Sequence, residues 1–322
     1  MVGTGGVARR HLGVLAQIEG LQPVGHASGE RARAEAQARE WGGRAYDAIE
    51  ALLDRERPQA VWICVTPDRH GPVEAELIER SIPFFVEKPL SVNLPTAERI
   101  AGGVAARAVI AGVGYKFRAL DTLPRVRRLL AERPARLVLA TWHDALPPPA
   151  WWRNAVRSGG QVVEQATHLV DLARLLVGEA ELVSALAAQW PRPDAPGATV
   201  PDVTAALLRF AGDVPGVLSA TSLLQGRQAI HLQLICQGRA LTISDRALLV
   251  ETGRETEEVP VRADPFLVED LAFVRAVREG DPRHVLSSYA DALKTHALCV
   301  AIRELSASPT TTKAGLIDSQ GH

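Results

Sequence analysis

Through about residue 115 the chain alternates short apolar runs with helix-like stretches. The run AVWICVT, Ala60 to Thr66, is apolar throughout, as a strand buried on both faces of a parallel sheet requires. QPVGHAS, IPFFVEKP and AVIAGVGY read as further strands. Between them, residues 12–18, 30–41, 73–80 and 95–104 carry helical patterns; residues 30–41 are rich in Ala, Arg and Glu. Strand–helix alternation at this spacing predicts βαβ units and a doubly wound parallel sheet.

After Arg118 the texture changes. A helix over 125–130 precedes apolar–polar alternation in RLVLATWHD, TAALLRFAG, GVLSATSLL, IHLQLICQG, ALTISD and ALLVETG. Period-two alternation predicts half-buried antiparallel strands, and glycine turns between them suggest a meander. Residues 161–177 read as one helix, and helices over 266–277 and 290–305 close the chain. The last dozen residues lack apolar periodicity and are expected to fray, so a disordered tail is expected after about 306.

Composition narrows the class. Hydrophobic residues make up 47% of 322, enough for a sizeable core in two domains, expected at 1–118 and 119–322. The 36 basic and 37 acidic side chains leave a net charge of −1, so there is no electrostatic case for nucleic acid or an anionic membrane as partner. Cys64, Cys236 and Cys299 lie far apart without metal-ligand spacing, which suits buried thiols in a reducing, cytoplasmic compartment. No apolar stretch is long enough to span a bilayer.

The opening MVGTGGVARRH fits G-x-G-x-x-A through Gly3, Gly5 and Ala8. Gly3 permits a tight strand-to-helix turn, Gly5 lets backbone approach a pyrophosphate, and Ala8 lets helix and strand pack closely. With Thr4, Gly6 and Val7 this turn is the expected cofactor cradle of a Rossmann domain, its helix N-terminus facing the phosphates. Only Met1 and Val2 precede Gly3, whereas a first strand needs about five or six residues. The expectation is a truncated first strand, with Met1 at a strand position.

The second strand runs into GHASGERAR, with Ser28 and Gly29 where an acid binding the ribose 2′-OH of NAD is usual. Ser28 can donate to a phosphate, and Arg31 or Arg33 can approach one, so NADP is expected in preference to NAD, which stays possible. The competing reading is a solvated loop with basic residues on the next helix, and Glu30 argues the same way.

AVWICVTPDRH, IPFFVEKPL, GVGYKFR and WWRNAVRSGGQVVEQATHLVDLARLLVGE are similar, in this order and spacing, to landmarks of the Gfo/Idh/MocA oxidoreductases. The resemblance runs from Gly3 to about Leu305. The Ser-Gly pair further resembles glucose–fructose oxidoreductase, an NADP-using branch. The resemblance implies a Rossmann domain followed by an α+β domain with a large, mostly antiparallel sheet. It implies hydride transfer between a nicotinamide and a secondary alcohol or ketone of a sugar, cyclitol or related polyol. It also implies a homodimer or homotetramer, with the second sheet packed against another subunit.

Lys88 in E-K-P ends a parallel strand, where ligands of open α/β sheets bind. An ammonium there can stabilise a developing alkoxide. In the family this lysine is catalytic and its bond to the following proline is often cis, which Lys88–Pro89 permits. Glu164, His168 and Asp171 share one stripe if their helix is regular. Glu164 then orients His168 as the general base or acid, with Asp171 supporting it. The family usually has Asp at the position of Glu164. A helix-surface salt network and a metal site compete with this reading; with no other convergent His or Cys pair, no metal is expected.

Thr66, Pro67 and His70 follow the third strand, in a loop that lies beside the nicotinamide ribose in the family; alternatively His70 simply begins the next helix. Glu87 adjoins them on the cofactor side. Tyr115, Lys116 and Arg118 edge the expected substrate pocket, with Gln165 beside His168. Trp152 and Arg153 sit in a Pro- and Trp-rich loop able to cover it; Trp151 and Trp152 also suit a core or an interface. Two rivals remain. One is a redox-neutral glycosidase-type enzyme holding NAD. The other is a dinucleotide-sensing protein without chemistry, whose expected signature is loss of the lysine or histidine; both are present.

Overall fold

A computed structural model describes residues 1–307; the expected fraying tail lies outside the described residues. The first half holds five short parallel strands, β1 (Gly25–Ala27), β2 (Arg44–Tyr46), β3 (Val61–Ile63), β4 (Phe84–Val86) and β5 (Ala111–Val113). Helices α1 (Gly6–Leu15), α2 (Arg31–Trp41), α3 (Ile49–Glu56), α4 (Pro72–Glu79) and α5 (Leu94–Arg107) alternate with them. β1 pairs with β2, and β3, β4 and β5 pair in that order, all in parallel.

Met1 to Gly3 join these two groups into one sheet. Val2 bridges Ala27 on one side and Ile63 on the other, both in parallel. Gly3 N donates to Ala27 O at 2.9 Å, and Val2 N to Trp62 O at 2.8 Å. Three residues therefore stand at the middle strand position expected for the chain's start. The core forms because α1 buries Ala8, His11, Leu12 and Leu15 on one stripe, while β3 and β4 are buried on both faces. The sequence pattern predicts neither β2 nor α3; RAY and IEALLDRE are too short to carry a period.

The second half is built on an eight-stranded sheet. After α6 (Leu123–Glu132) come β6 (Ala135–Ala145), α7 (Ala155–Ser158), α8 (Thr167–Val177) and β7 (Ala180–Ala188). Then follow β8 (Val203–Phe210), β9 (Val214–Leu224), β10 (Ala229–Cys236), β11 (Arg239–Ile243), β12 (Ala247–Glu251) and β13 (Thr256–Pro260). The order is β13-β12-β11-β10-β6-β9-β8-β7, antiparallel except where β6 lies parallel to β9. β8, β9 and β10 alternate buried and exposed positions, as their period-two pattern requires. β7 was not predicted: AELVSALAA has helical composition, and pairing with β8 overrides it.

One face of this sheet packs Val138, Ala140, Leu218 and Leu232 against Val163, Leu169, Val170 and Ala173. Two closing helices, α9 (Pro265–Glu279) and α10 (Tyr289–Ala307), bind the halves together. Phe273 and Val274 of α9 pack on Leu15, Trp62 and Phe85. α10 places Tyr289 and Ala292 in the first core and Leu298, Cys299 and Ile302 in the second. The carboxyl ends of β3, β4 and β5 consequently face the start of α8.

Candidate active site

The turn between Val2 and α1 is shaped by its glycines. Gly3 has φ +100°, and a Cβ there would lie 2.1 Å from Cys64 O, so only glycine fits. At Gly5 and Gly6 a Cβ would meet nothing within 4 Å. Backbone is thus bare toward open space where α1 begins, a cradle of the shape a dinucleotide phosphate needs. Thr4 Oγ1 lies 3.4 Å from Ser28 Oγ at the end of β1, while Val7 is exposed. Arg31 is committed elsewhere, to Glu35 at 2.9 Å and Asp47 at 3.0 Å.

Beyond β3, Thr66 Oγ1 donates to Asp68 Oδ1 at 2.5 Å, and Pro67 is buried as Thr66–Arg69 tighten into a 3-10 turn. His70 is buried and bonded through Nδ1 to Glu74 Oε1 at 2.6 Å, where Glu74 also accepts from Gly71 N. Of the two readings of His70, the structure thus favours the start of the next helix.

Lys88 follows β4, and the Lys88–Pro89 bond is cis. Its ammonium donates to Glu164 O at 2.6 Å and Glu164 Oε1 at 2.8 Å. The other carboxylate oxygen, Glu164 Oε2, accepts from Trp152 Nε1 at 2.8 Å. The expected Glu164–His168 pair is therefore replaced by a Lys88–Glu164–Trp152 chain. The cause is local: residues Val162–Ala166 form a π-turn ahead of α8, and its i→i+5 bonding puts more residues in the turn, which takes Glu164 off the stripe of His168.

His168 is instead held by rings. Its imidazole stacks on Phe117 (centroids 5.2 Å) and Trp142 (6.1 Å) and meets the edge of Tyr115 (6.0 Å). Nδ1 is enclosed with no partner among the described residues. Burial, and then the charges of Lys88 and Lys116, push its pKa well below the usual 6.5, so the ring is neutral. Burial and the neighbouring Lys88 also lower the pKa of Lys116, whose Nζ sits 5.0 Å above the Phe266 ring.

Several residues expected at the pocket edge lie behind it. Tyr115 is 1% exposed and its hydroxyl pairs with Thr167 Oγ1 at 3.0 Å. Arg118 makes two 2.7 Å bonds to buried Asp171, with Asp291 alongside. Asp171 is supporting, as expected, but it supports Arg118 and Thr295. Trp152 is 1% exposed, a wall side chain rather than a mobile cover. Arg153 has Nε enclosed without a partner among the described residues, and Gln165 Oε1 accepts from Gln161 Nε2 at 3.2 Å. The Glu164–His168–Asp171 metal alternative fails on this geometry, because Lys88 and Arg118 take the two carboxylates.

Sequence reasoning missed a buried cluster under the cradle. His11 Nδ1 lies 2.9 Å from Asp270 Oδ2 and Nε2 3.1 Å from Glu87 Oε1, with Trp62 Nε1 donating to Asp270 at 2.9 Å. Glu269 is alongside, its donor atom within 4.8 Å of those of His11 and Glu87. Burial opposes a charge on His11, but the bonds to Asp270 and Glu87 outweigh it and raise its pKa to about 10. Burial, then the charge of Glu87, pushes the pKa of Glu269 well above the usual 4.5. The available signal was a histidine on the apolar stripe of α1, three residues after Ala8 and four before Leu15.

A glycine cradle, a lysine at a strand end and a neutral histidine facing them across a second domain form one arrangement. A family model described as an oxidoreductase family with an NAD-binding Rossmann fold matches residues 1–115. A second, the GFO/IDH/MocA C-terminal domain, matches residues 134–242. The chain belongs to the Gfo/Idh/MocA oxidoreductases. It is 28% identical to an uncharacterised protein of Schizosaccharomyces pombe, covering 77% of this chain and 70% of that one. It is 24% identical to myo-inositol 2-dehydrogenase of Thermotoga maritima, over 74% and 75% of the two chains. Its fold is similar to that of KijD10, a 3-ketoreductase from Actinomadura kijaniata solved with NADP and TDP-benzene. There the TM-score is 0.82 at 21% identity, covering 94% and 96% of the two chains.

Proposed function

We propose that this Gfo/Idh/MocA oxidoreductase interconverts a secondary alcohol and a ketone on a sugar, cyclitol or related polyol, with NADP preferred to NAD. The observation that carries the reading is Lys88 Nζ at the carboxyl end of β4, beside the neutral imidazole of His168. The open space at Gly5 and Gly6 supports a dinucleotide cradle there, and Thr4, Ser28, Gly29, Thr66 and Pro67 are the residues assigned to the same cofactor. When bound, the nicotinamide accepts or supplies the hydride.

The chain's own residues handle charge and the proton. Lys88 uses two of its three ammonium donors on Glu164, leaving one for the substrate oxygen. That donor stabilises negative charge as the C–H bond breaks. His168, uncharged, is able to take the hydroxyl proton on a ring nitrogen; in the reverse direction it returns that proton. Glu164 and Trp152 fix the lysine, and Phe117, Trp142 and Tyr115 fix the imidazole plane. NADP preference is supported by the absence of a carboxylate at positions 28 and 29.

The outer face of the large sheet carries exposed Val183, Leu186, Leu207 and Val217, which supports a homo-oligomer formed through that face. Three free thiols support a reducing, cytoplasmic setting. Among the described residues no helix is long and apolar enough to cross a membrane. A panel of sugars and polyols followed by nicotinamide absorbance tests the reaction. Lys88→Ala should lower kcat/KM on any active member by about 10²- to 10⁴-fold; full turnover by that variant refutes the mechanism.

A further inference from the structure

We propose that Arg69, from the turn after β3, is the residue that grips the adenosine 2′-phosphate of NADP across Gly29. The inference rests on the NADP reading above and names the group that reads it.

Three arginines approach the turn that follows β1, and two are already paired. Arg31 binds Glu35 and Asp47, and Arg33 binds Glu30 at 2.9 Å. Arg69 has no ion-pair or side-chain hydrogen-bond partner among the described residues. Its reach is fixed by Gly29: a Cβ on that residue would sit 3.4 Å from Arg69 Nη1. The guanidinium therefore lies against the bare backbone of position 29, where an acid reading a ribose 2′-OH is usual. An aspartate here would pair with Arg69 and repel a phosphate; glycine leaves the cation without that partner.

Arg69 is also held at its base. It closes the Pro67–Arg69 turn by donating its backbone N–H to Thr66 O at 2.8 Å. Asp68, between them, accepts from Thr66 Oγ1 at 2.5 Å and from Arg157 Nε at 3.1 Å. Arg157 belongs to α7, so the second half of the chain braces the turn that carries Arg69. On the residue before Gly29, Ser28 Oγ accepts from Glu30 N at 3.2 Å and lies 3.4 Å from Thr4 Oγ1; with Thr4 as the donor of that pair, the Ser28 hydroxyl proton is able to turn toward a ligand. A planar guanidinium against Gly29 and a hydroxyl on the residue before it suit a phosphate dianion.

The test uses the whole protein and two probes, 2′,5′-ADP and 5′-ADP, with affinities measured by calorimetry. The wild type should bind 2′,5′-ADP more tightly. Arg69→Ala should weaken 2′,5′-ADP about tenfold or more and leave 5′-ADP within about twofold. Arg69→Lys should recover part of the loss, since it keeps charge without the fork. If the wild type discriminates and Arg69→Ala discriminates equally well, the Arg69 assignment is overturned and the NADP reading stands. Equal weakening of both probes also overturns it, by showing that Arg69 serves the common part of the nucleotide. If the wild type binds the two probes alike, the NADP reading itself fails and takes this inference with it.

Discussion

Replacing His11 with leucine tests the buried cluster beneath the glycine turn. His11 is fully buried and is the cation between Asp270 and Glu87. Leucine fills similar space but leaves two buried carboxylates without a counter-charge. Breaking a buried pair by removing one partner costs about 3–5 kcal/mol. At roughly 2–4 °C per kcal/mol for a cooperative unit of this size, the midpoint should fall by about 10 °C. The pH dependence gives a sharper check. The folded-state pKa of His11, about 10, exceeds the unfolded 6.5, so the native state holds an extra proton between those values. Its stabilisation is full below about 6.5 and is lost as pH rises to about 10, at roughly 1.4 kcal/mol per pH unit. Glu269, its pKa raised by burial and then by Glu87, contributes with the same sign, and the measured difference includes the response of Glu87, Asp270 and Glu269 to the loss of the imidazolium. Urea titrations of wild type and His11→Leu followed by circular dichroism, at pH 7, 8, 9 and 10, should show a gap that narrows steadily. A gap under about 1 kcal/mol at pH 7, or one that stays constant to pH 10, would refute the ion-pair account.

Further substitutions separate local from distant causes. Gly3→Ala should cost several kcal/mol and abolish nucleotide binding, because its Cβ would lie 2.1 Å from Cys64 O; Gly102→Ala, in α5 with open space at the Cβ position, should stabilise by about 0.5–1 kcal/mol in the same thermal melts. Arg118→Ala should destabilise by about 3–5 kcal/mol in denaturant titrations by stranding Asp171, and an effect confined to substrate KM would contradict its burial. Trp152→Phe removes one bond to Glu164 and should lower kcat several-fold while leaving nucleotide affinity unchanged in a binding titration.

Much of the architecture is legible locally. Uninterrupted apolar runs gave β3 and β4, and period-two alternation gave β6 and β8 to β10, because each pattern reports how many faces of a strand are buried. The glycine turn was legible because Gly3 requires positive φ and an absent side chain at the same place. Lys88 was legible because it follows an apolar strand at once. β2, α3 and β7 were not, since two are too short for a period and the third is a strand only through its neighbour. The role of Glu164 was misread because i, i+4 spacing presumes a regular helix, and Val162–Ala166 form a π-turn.

The division follows from where the partners lie. Periodicity, glycine placement and the E-K-P motif are properties of neighbours in the chain, and from them the sequence determined two sheets, the cradle and the candidate lysine and histidine. Which charges meet was decided only by the tertiary structure. His11 and Asp270 are 259 positions apart, Arg118 and Asp171 are 53 apart, and Lys88 and Glu164 are 76 apart. No local pattern encodes those pairings. Burial selects them, because each charge enclosed by the closing of α9, α10 and the sheet must find an opposite charge or lose its own.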